Sequence, residues 1–215
     1  MDIDEYINKL LPEINDPLTI EMEQYAQKHQ VPIMEPAGIA LLLQVLEIHQ
    51  PKKILEVGTA IGYSAIRMAK RLTDSTIVTL ERDLERIQLA KQHIEKAGLE
   101  NRIVILEGDA LELESAVSDF GPFDIVFIDA AKGQYERFFD MYEPMVCKGG
   151  LIISDNVLFK GIVSGEKPAP HKRLEGMANK LRGYNERLMR DTRFSSMIYP
   201  VGDGVMVSIK KSASA

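Results

Sequence analysis

The chain has 215 residues, of which 45% are apolar and 27% charged, with a formal net charge of −6. That length builds a domain with a substantial core, and that balance excludes a disordered or fibrous chain. No apolar run approaches the roughly 20 residues of a membrane helix, the acidic start Met1-Asp2-Ile3-Asp4-Glu5 lacks the layout of a signal peptide, and the lone Cys147 excludes an internal disulfide or a cysteine zinc cluster.

Residues 1–50 read as helices, interrupted at Ile14-Asn15-Asp16-Pro17 and restarted at Glu35-Pro36, where proline takes the first helical position. From residue 51 the pattern changes. Residues 53–57, 76–80, 103–106, 123–128 and 151–154 are short β-rich runs. Helical stretches at 64–72 and 84–97 lie between the early ones, the second closed by Gly98. Strands alternating with helices imply an α/β, Rossmann-like, mostly parallel sheet covered on both faces. Residues 194–200 and 205–210 flank Gly202-Asp203-Gly204 and read as a closing antiparallel hairpin, making seven strands in all. The expectation is one domain, with 1–50 as a helical extension and 51–211 as the core. Cys147, beside the fifth strand, is read as a packed core thiol.

Five of the strands end at or just before an acid: Glu56, Glu81, Asp109, Asp129 and Asp155. Ligands of open parallel sheets bind at the carboxyl ends of the strands. The first turn, Glu56-Val-Gly58-Thr-Ala-Ile-Gly62, lacks the middle glycine of the dinucleotide fingerprint and carries a carboxylate that would repel phosphate. It argues against a nicotinamide oxidoreductase. Gly58 admits close approach of a ligand, and Glu56 suits an ammonium group, directly or through water. This turn resembles the first motif of S-adenosylmethionine-dependent methyltransferases. In that resemblance Glu81 accepts from ribose hydroxyls, and Gly108-Asp109-Ala110 holds the adenine.

In the second half, Asp129, Asp155 and Asn156 offer three hard oxygen ligands on neighbouring strand ends, a set suited to Mg²⁺ or Mn²⁺. None of His29, His49, His93 or His171 lies near these motifs, which disfavours zinc. Glu56-x-Gly-x-x-x-Gly62-Tyr-Ser64, Asp129-x-x-Lys132 and Asp155-Asn156 together resemble the cation-dependent O-methyltransferases of the catechol and caffeoyl-CoA type, over about residues 30–210. The resemblance implies Asp129, Asp155 and Asn156 as metal ligands and Lys132 as general base. It implies Met34, Glu56, Gly58, Ser64, Glu81, Asp109, Ala110 and Asp129 around S-adenosyl-L-methionine. It also implies a homodimer, while the missing signal-peptide layout, the missing membrane run and the lone cysteine lead to the expectation of a cytoplasmic location. Small Ala130-Ala131 stands where plant and animal relatives often carry an aromatic residue, so the acceptor pocket is expected to be wider or built elsewhere.

Between residues 160 and 193 nine Lys/Arg face four Asp/Glu, against an acidic remainder. Residues 170–191 read as an amphipathic helix, with Leu174, Met177, Leu181, Tyr184 and Leu188 on its apolar face. Arg173, Lys180, Arg187 and Arg190 form a cationic stripe, joined by Lys160 in the preceding loop, which is expected to be mobile. Such a stripe suits a polyanion. The chain resembles the bacterial tRNA 5-hydroxyuridine methyltransferases within this family, whose vicinal hydroxyl and O4 carbonyl would chelate a metal as a catechol does. The tRNA anticodon region is the expected partner. A small vicinal-oxygen aromatic is the alternative acceptor, and a non-catalytic cofactor-binding regulator is the alternative of another class.

Overall fold

The protein was analysed as a computed structural model, which describes residues 3–159 and 161–212, with side chains from residue 5. Three helices lead the chain: α1 (Ile3–Leu10), α2 (Pro17–His29) and α3 (Pro36–His49). Each of the last two starts on a proline, whose missing N–H costs a helix nothing there. Asp16 caps α2 by accepting from the Thr19 amide at 3.0 Å.

The core then runs β1 (Lys53–Val57), α4 (Tyr63–Arg71), β2 (Thr76–Glu81), α5 (Leu84–Ala97), β3 (Ile103–Glu107), α6 (Glu114–Ser118), β4 (Phe123–Ile128), α7 (Tyr135–Tyr142), β5 (Val146–Ser154), α8 (Lys172–Arg190), β6 (Phe194–Tyr199) and β7 (Val205–Lys210). Asp83 caps the start of α5 and Gly98, at φ +66°, ends it. The seven strands form one sheet in the order β3-β2-β1-β4-β5-β7-β6. The first five are parallel; β7 enters antiparallel between β5 and β6.

Alternation along the strands divides the core in two. Ile54, Ile77, Ile125, Phe127 and Ile153 pack against α2 to α5 on one face. Leu55, Val78, Val126, Ile128 and Ile152 pack against Phe138, Phe139 and Tyr142 of α7 and Leu181, Tyr184 and Leu188 of α8 on the other.

Strand limits differ from the sequence reading mainly in β5, which begins at Val146 rather than 151. Lys148-Gly149-Gly150 breaks the β-rich pattern, yet Gly150 lies so close to the Asp124 carbonyl that a Cβ would stand 2.6 Å from it. Cys147 therefore falls inside β5 and is half-buried, not a packed core thiol. Among the described residues no helix is long and apolar enough to cross a membrane.

Candidate active site

The chain leaves β1 toward β2 and β3 on one side, while β4 and β5 extend the other. The crevice at such a reversal is where open α/β sheets bind ligands. Here it is a cleft of about 630 Å³, within the range of small-molecule sites. Met34, Gly58, Ser64, Glu81, Asp109, Ala110, Asp129, Lys132, Asp155 and Asn156 all line it.

The glycine turn forms its floor. Gly58 and Thr59 both donate to the Leu80 carbonyl, at 3.1 and 3.0 Å, which ties the turn to β2. Gly58 stands at φ +109°, and a Cβ there would come within 2.2 Å of the Asp129 carbonyl. Only glycine fits where the first turn and the end of β4 touch. His93, buried on α5, donates from Nδ1 to the Ile61 carbonyl at 2.8 Å and so pins the far end of the turn. The partner is a carbonyl, which fixes the proton on that nitrogen.

Glu81 ends β2 with its carboxylate already oriented. Oε2 accepts from the Ala60 amide at 2.9 Å, and Oε1 from Arg82 and Asp83 at 2.9 and 3.1 Å. Asp109 accepts from the Leu111 amide at 2.9 Å and from Arg82 at 3.0 Å. The Leu111 amide first, and the Arg82 guanidinium with it, hold the Asp109 carboxyl below its usual range against some desolvation.

Glu56 behaves differently from the other strand-end acids. It lies one residue before the end of β1, has no exposed surface and is absent from the cleft wall. Ser64 and Thr79 donate to its two oxygens, and Thr79 in turn accepts from Thr59 at 2.6 Å. Burial pushes its carboxyl up to about 7, and the two hydroxyl hydrogen bonds only partly offset this. A direct contact from Glu56 to a ligand in the cleft is therefore not made in this arrangement; its link to the cleft runs through Ser64.

The other end of the cleft carries the remaining acids. The parallel pairing continues one step past the strands, with Asp129 N donating to Val57 O at 3.0 Å and Asp155 N to Ile128 O at 3.1 Å. These bonds set the two aspartates side by side on adjacent strand ends. Asn156 follows at φ +56°, a left-handed conformation that asparagine tolerates better than most residues. Burial raises Asp129, opposed by the positive charge of Lys132, and burial together with Asp129 raises Asp155. Two desolvated carboxylates that repel each other are stabilised by a cation between them.

Among the described residues no cluster of three His, Cys, Asp or Glu could hold a metal. The set present is two carboxylates and an amide, which fits a hard cation that keeps waters in its shell and does not fit zinc. Lys132 opens a short 3-10 turn, its Nζ 5.6 Å from the centre of the Phe159 ring. Phe159, itself at φ +40°, forms part of the cleft wall.

Phe159, Gln134, Phe138, Arg82, Glu35 and Asp203 line the cleft without having been singled out from sequence. Phe159 lies in the loop flagged as mobile. Arg182 holds that loop to α8 by donating to the Ile162 and Val163 carbonyls at 2.7 and 2.8 Å.

The cationic stripe is only partly available. Arg187 pairs with Asp140 and Glu136 of α7 and covers the Phe139 ring at 5.4 Å. Arg190 lies 3.9 Å from Glu186. Lys180 reaches the Gly133 carbonyl at 3.5 Å, one residue from Lys132. Arg173 is exposed on the first turn of α8, and none of the four lines the cleft. Lys160 lies outside the described residues.

A family described as O-methyltransferase matches residues 11–211. A catechol O-methyltransferase of Niastella koreensis is 32% identical over 97% of this chain and 96% of its own length. A Staphylococcus aureus protein, provisionally described as a caffeoyl-CoA O-methyltransferase, superposes with a TM-score of 0.90 at 35% identity, over 96% of this chain and 98% of that one. An O-methyltransferase of Bacillus cereus, solved in complex with SAH, superposes with a TM-score of 0.83 at 27% identity over 97% of each chain.

Proposed function

The chain belongs to the O-methyltransferase family and is an S-adenosylmethionine-dependent O-methyltransferase, and from that premise we propose that its acceptor is the wobble 5-hydroxyuridine of tRNA, methylated to 5-methoxyuridine with the help of Mg²⁺ or Mn²⁺. The observation that carries this choice is the cation distribution around the acceptor end of the cleft. Lys132 lines it and Lys180 stands beside Gly133. The segment that leaves the cleft wall at Phe159 leads to exposed Lys167, Lys172 and Arg173, which make no ion pair among the described residues. Exposed cations without ion pairs, in the segment that follows the cleft wall in the chain, favour a substrate with phosphates. An unpaired anticodon base enters such a cleft without the melting of a duplex.

In this reading Asp129, Asp155 and Asn156 hold the cation. When bound, S-adenosylmethionine would supply an electrophilic methyl on a sulfonium, and the cation would supply positive charge at the acceptor hydroxyl. Lys132 takes the proton of the hydroxyl to be methylated. The Glu81 carboxylate, locked by three backbone amides, accepts from the ribose hydroxyls. The glycine turn and the Asp129 end of β4 meet at Gly58, which sets donor and acceptor at a fixed separation, so positioning carries much of the acceleration.

A second reading, a small aromatic with vicinal oxygens, is favoured by two observations. The Niastella relative, aligned over nearly the whole chain, is named for catechol. Among the described residues Glu81, Asp109, Asp129 and Asp155 of the cleft wall outnumber its cations Arg82, Arg86 and Lys132, a balance a polyanion does not welcome.

The test is methyl transfer from labelled S-adenosylmethionine to tRNA bearing 5-hydroxyuridine and to catechol, each with Mg²⁺ and with chelator. Metal-dependent labelling of tRNA far above catechol is expected. Labelling of catechol alone would move the assignment to small metabolites, and labelling of neither acceptor would favour a non-catalytic regulator.

A further inference from the structure

Asn156 and Phe159 both hold left-handed backbone without being glycine, and the residues around them are clamped by three separate elements. The Asp155 carbonyl accepts from the Tyr135 hydroxyl of α7 at 3.0 Å. The amides of Val157, Leu158 and Phe159 donate to Gly204 and Asp203 in the 201–204 turn, at 3.0, 2.9 and 3.1 Å. Gly204 has no room for a side chain, since a Cβ would lie 2.5 Å from Leu158 Cγ. The Val157 carbonyl accepts from Asn185 Nδ2 of α8 at 2.9 Å. A carbonyl only accepts, so the amide orientation is forced.

Asn185 is buried, and its Oδ1 has no partner among the described residues. Its Nδ2 meets the carbonyl of Val157, the residue that follows a proposed metal ligand.

We propose that Asn185 is a positioning residue for the cation site, holding the Val157 carbonyl so that the Asn156 amide stays in the cleft with Asp129 and Asp155. The inference rests on Asp129, Asp155 and Asn156 being the cation ligands. Asn185 lies outside the cleft wall and so would act on the cation site without touching a cation or a substrate. Its effect passes through the backbone on the carboxyl side of Asn156, while Tyr135 fixes the amino side.

The experiment is a Mn²⁺ titration of the full chain, with free Mn²⁺ read by its paramagnetic resonance signal. It compares the unaltered protein, Asn185→Leu and Asn185→Ser, with S-adenosylmethionine affinity measured in parallel. Both variants are expected to bind Mn²⁺ about tenfold more weakly, the range seen when groups behind metal ligands are removed, and to keep their cofactor affinity. Should the leucine variant fail to fold, the smaller serine variant decides. Unchanged Mn²⁺ affinity in a folded variant overturns the proposal. Equal loss of Mn²⁺ and cofactor affinity also overturns it, because it marks general loosening. No Mn²⁺ binding by the unaltered protein overturns the cation reading itself, and this inference with it.

Discussion

Glu56 has no exposed surface, two hydroxyl donors and a carboxyl pushed up to about 7 from an ordinary 4.5. Between those values the folded chain keeps a proton that the unfolded chain has released. The group therefore stabilises the fold fully below about pH 4.5, and that contribution fades as pH rises through 7. At most it is on the order of 3 kcal/mol. The melting temperature is expected to fall between pH 5 and pH 8 by several degrees more in the native chain than in Glu56→Gln. Asp129 and Asp155 contribute to both curves, so the difference isolates Glu56; parallel curves would mean that it is ionised throughout. Lys132 is tested by kinetics instead. Lys132→Ala is expected to lose about 10²- to 10⁴-fold in turnover while S-adenosylmethionine affinity changes little. Unchanged turnover would remove the lysine from the proton transfer.

Helix α8 divides its cations between two uses. Arg187, held by Asp140 and Glu136 and stacked over Phe139, fastens α8 to α7. Arg187→Ala is expected to cost about 1 kcal/mol of stability and to leave the KM for tRNA unchanged. The paired reversal Lys172→Glu, Arg173→Glu is expected to raise the KM for tRNA about tenfold or more at low salt, with no effect on the KM for a catechol. If neither KM moves, the RNA reading loses its support at this helix.

The stripe was legible as a heptad spacing of basic residues, but its partners were not. Asp140 sits 47 residues from Arg187 on a helix that the sequence reading did not delimit. Strands β1 and β4 were legible to the residue because their apolar runs are uninterrupted. The first half of β5 was hidden by Lys148-Gly149-Gly150, whose extended form is imposed by close packing on Asp124. The alignment of acids with strand ends was legible too. The burial of Glu56 was not, since a sheet covered on both faces gives no alternation from which to tell an inward side chain from one at the rim.

At the scale of the whole molecule the two half-sites meet where the β1–β4 ladder ends, with Asp129 N donating to Val57 O and Gly58 lying against the Asp129 carbonyl. Gly58→Ala is expected to weaken S-adenosylmethionine and Mn²⁺ together, measured by calorimetry on the folded variant. Asp155→Asn is expected to weaken Mn²⁺ alone. Separable losses in Gly58→Ala would mean that the two halves are mechanically independent.

The insertion of β7 between β5 and β6 has a consequence for the order in which the molecule comes into being. The glycine turn, Glu81 and Asp109 are all in place by residue 109 of 215, and their supporting strands β1 to β3 precede residue 108. The carbonyls that hold the amides of residues 157–159 are at 203 and 204, after every proposed cation ligand. A nascent chain that has emerged as far as residue 200 therefore carries all three ligands and Lys132, but not the backbone that holds 157–159. The half proposed to take the methyl donor has its parts early in synthesis, whereas the half proposed to take the acceptor waits for the turn that precedes the last strand.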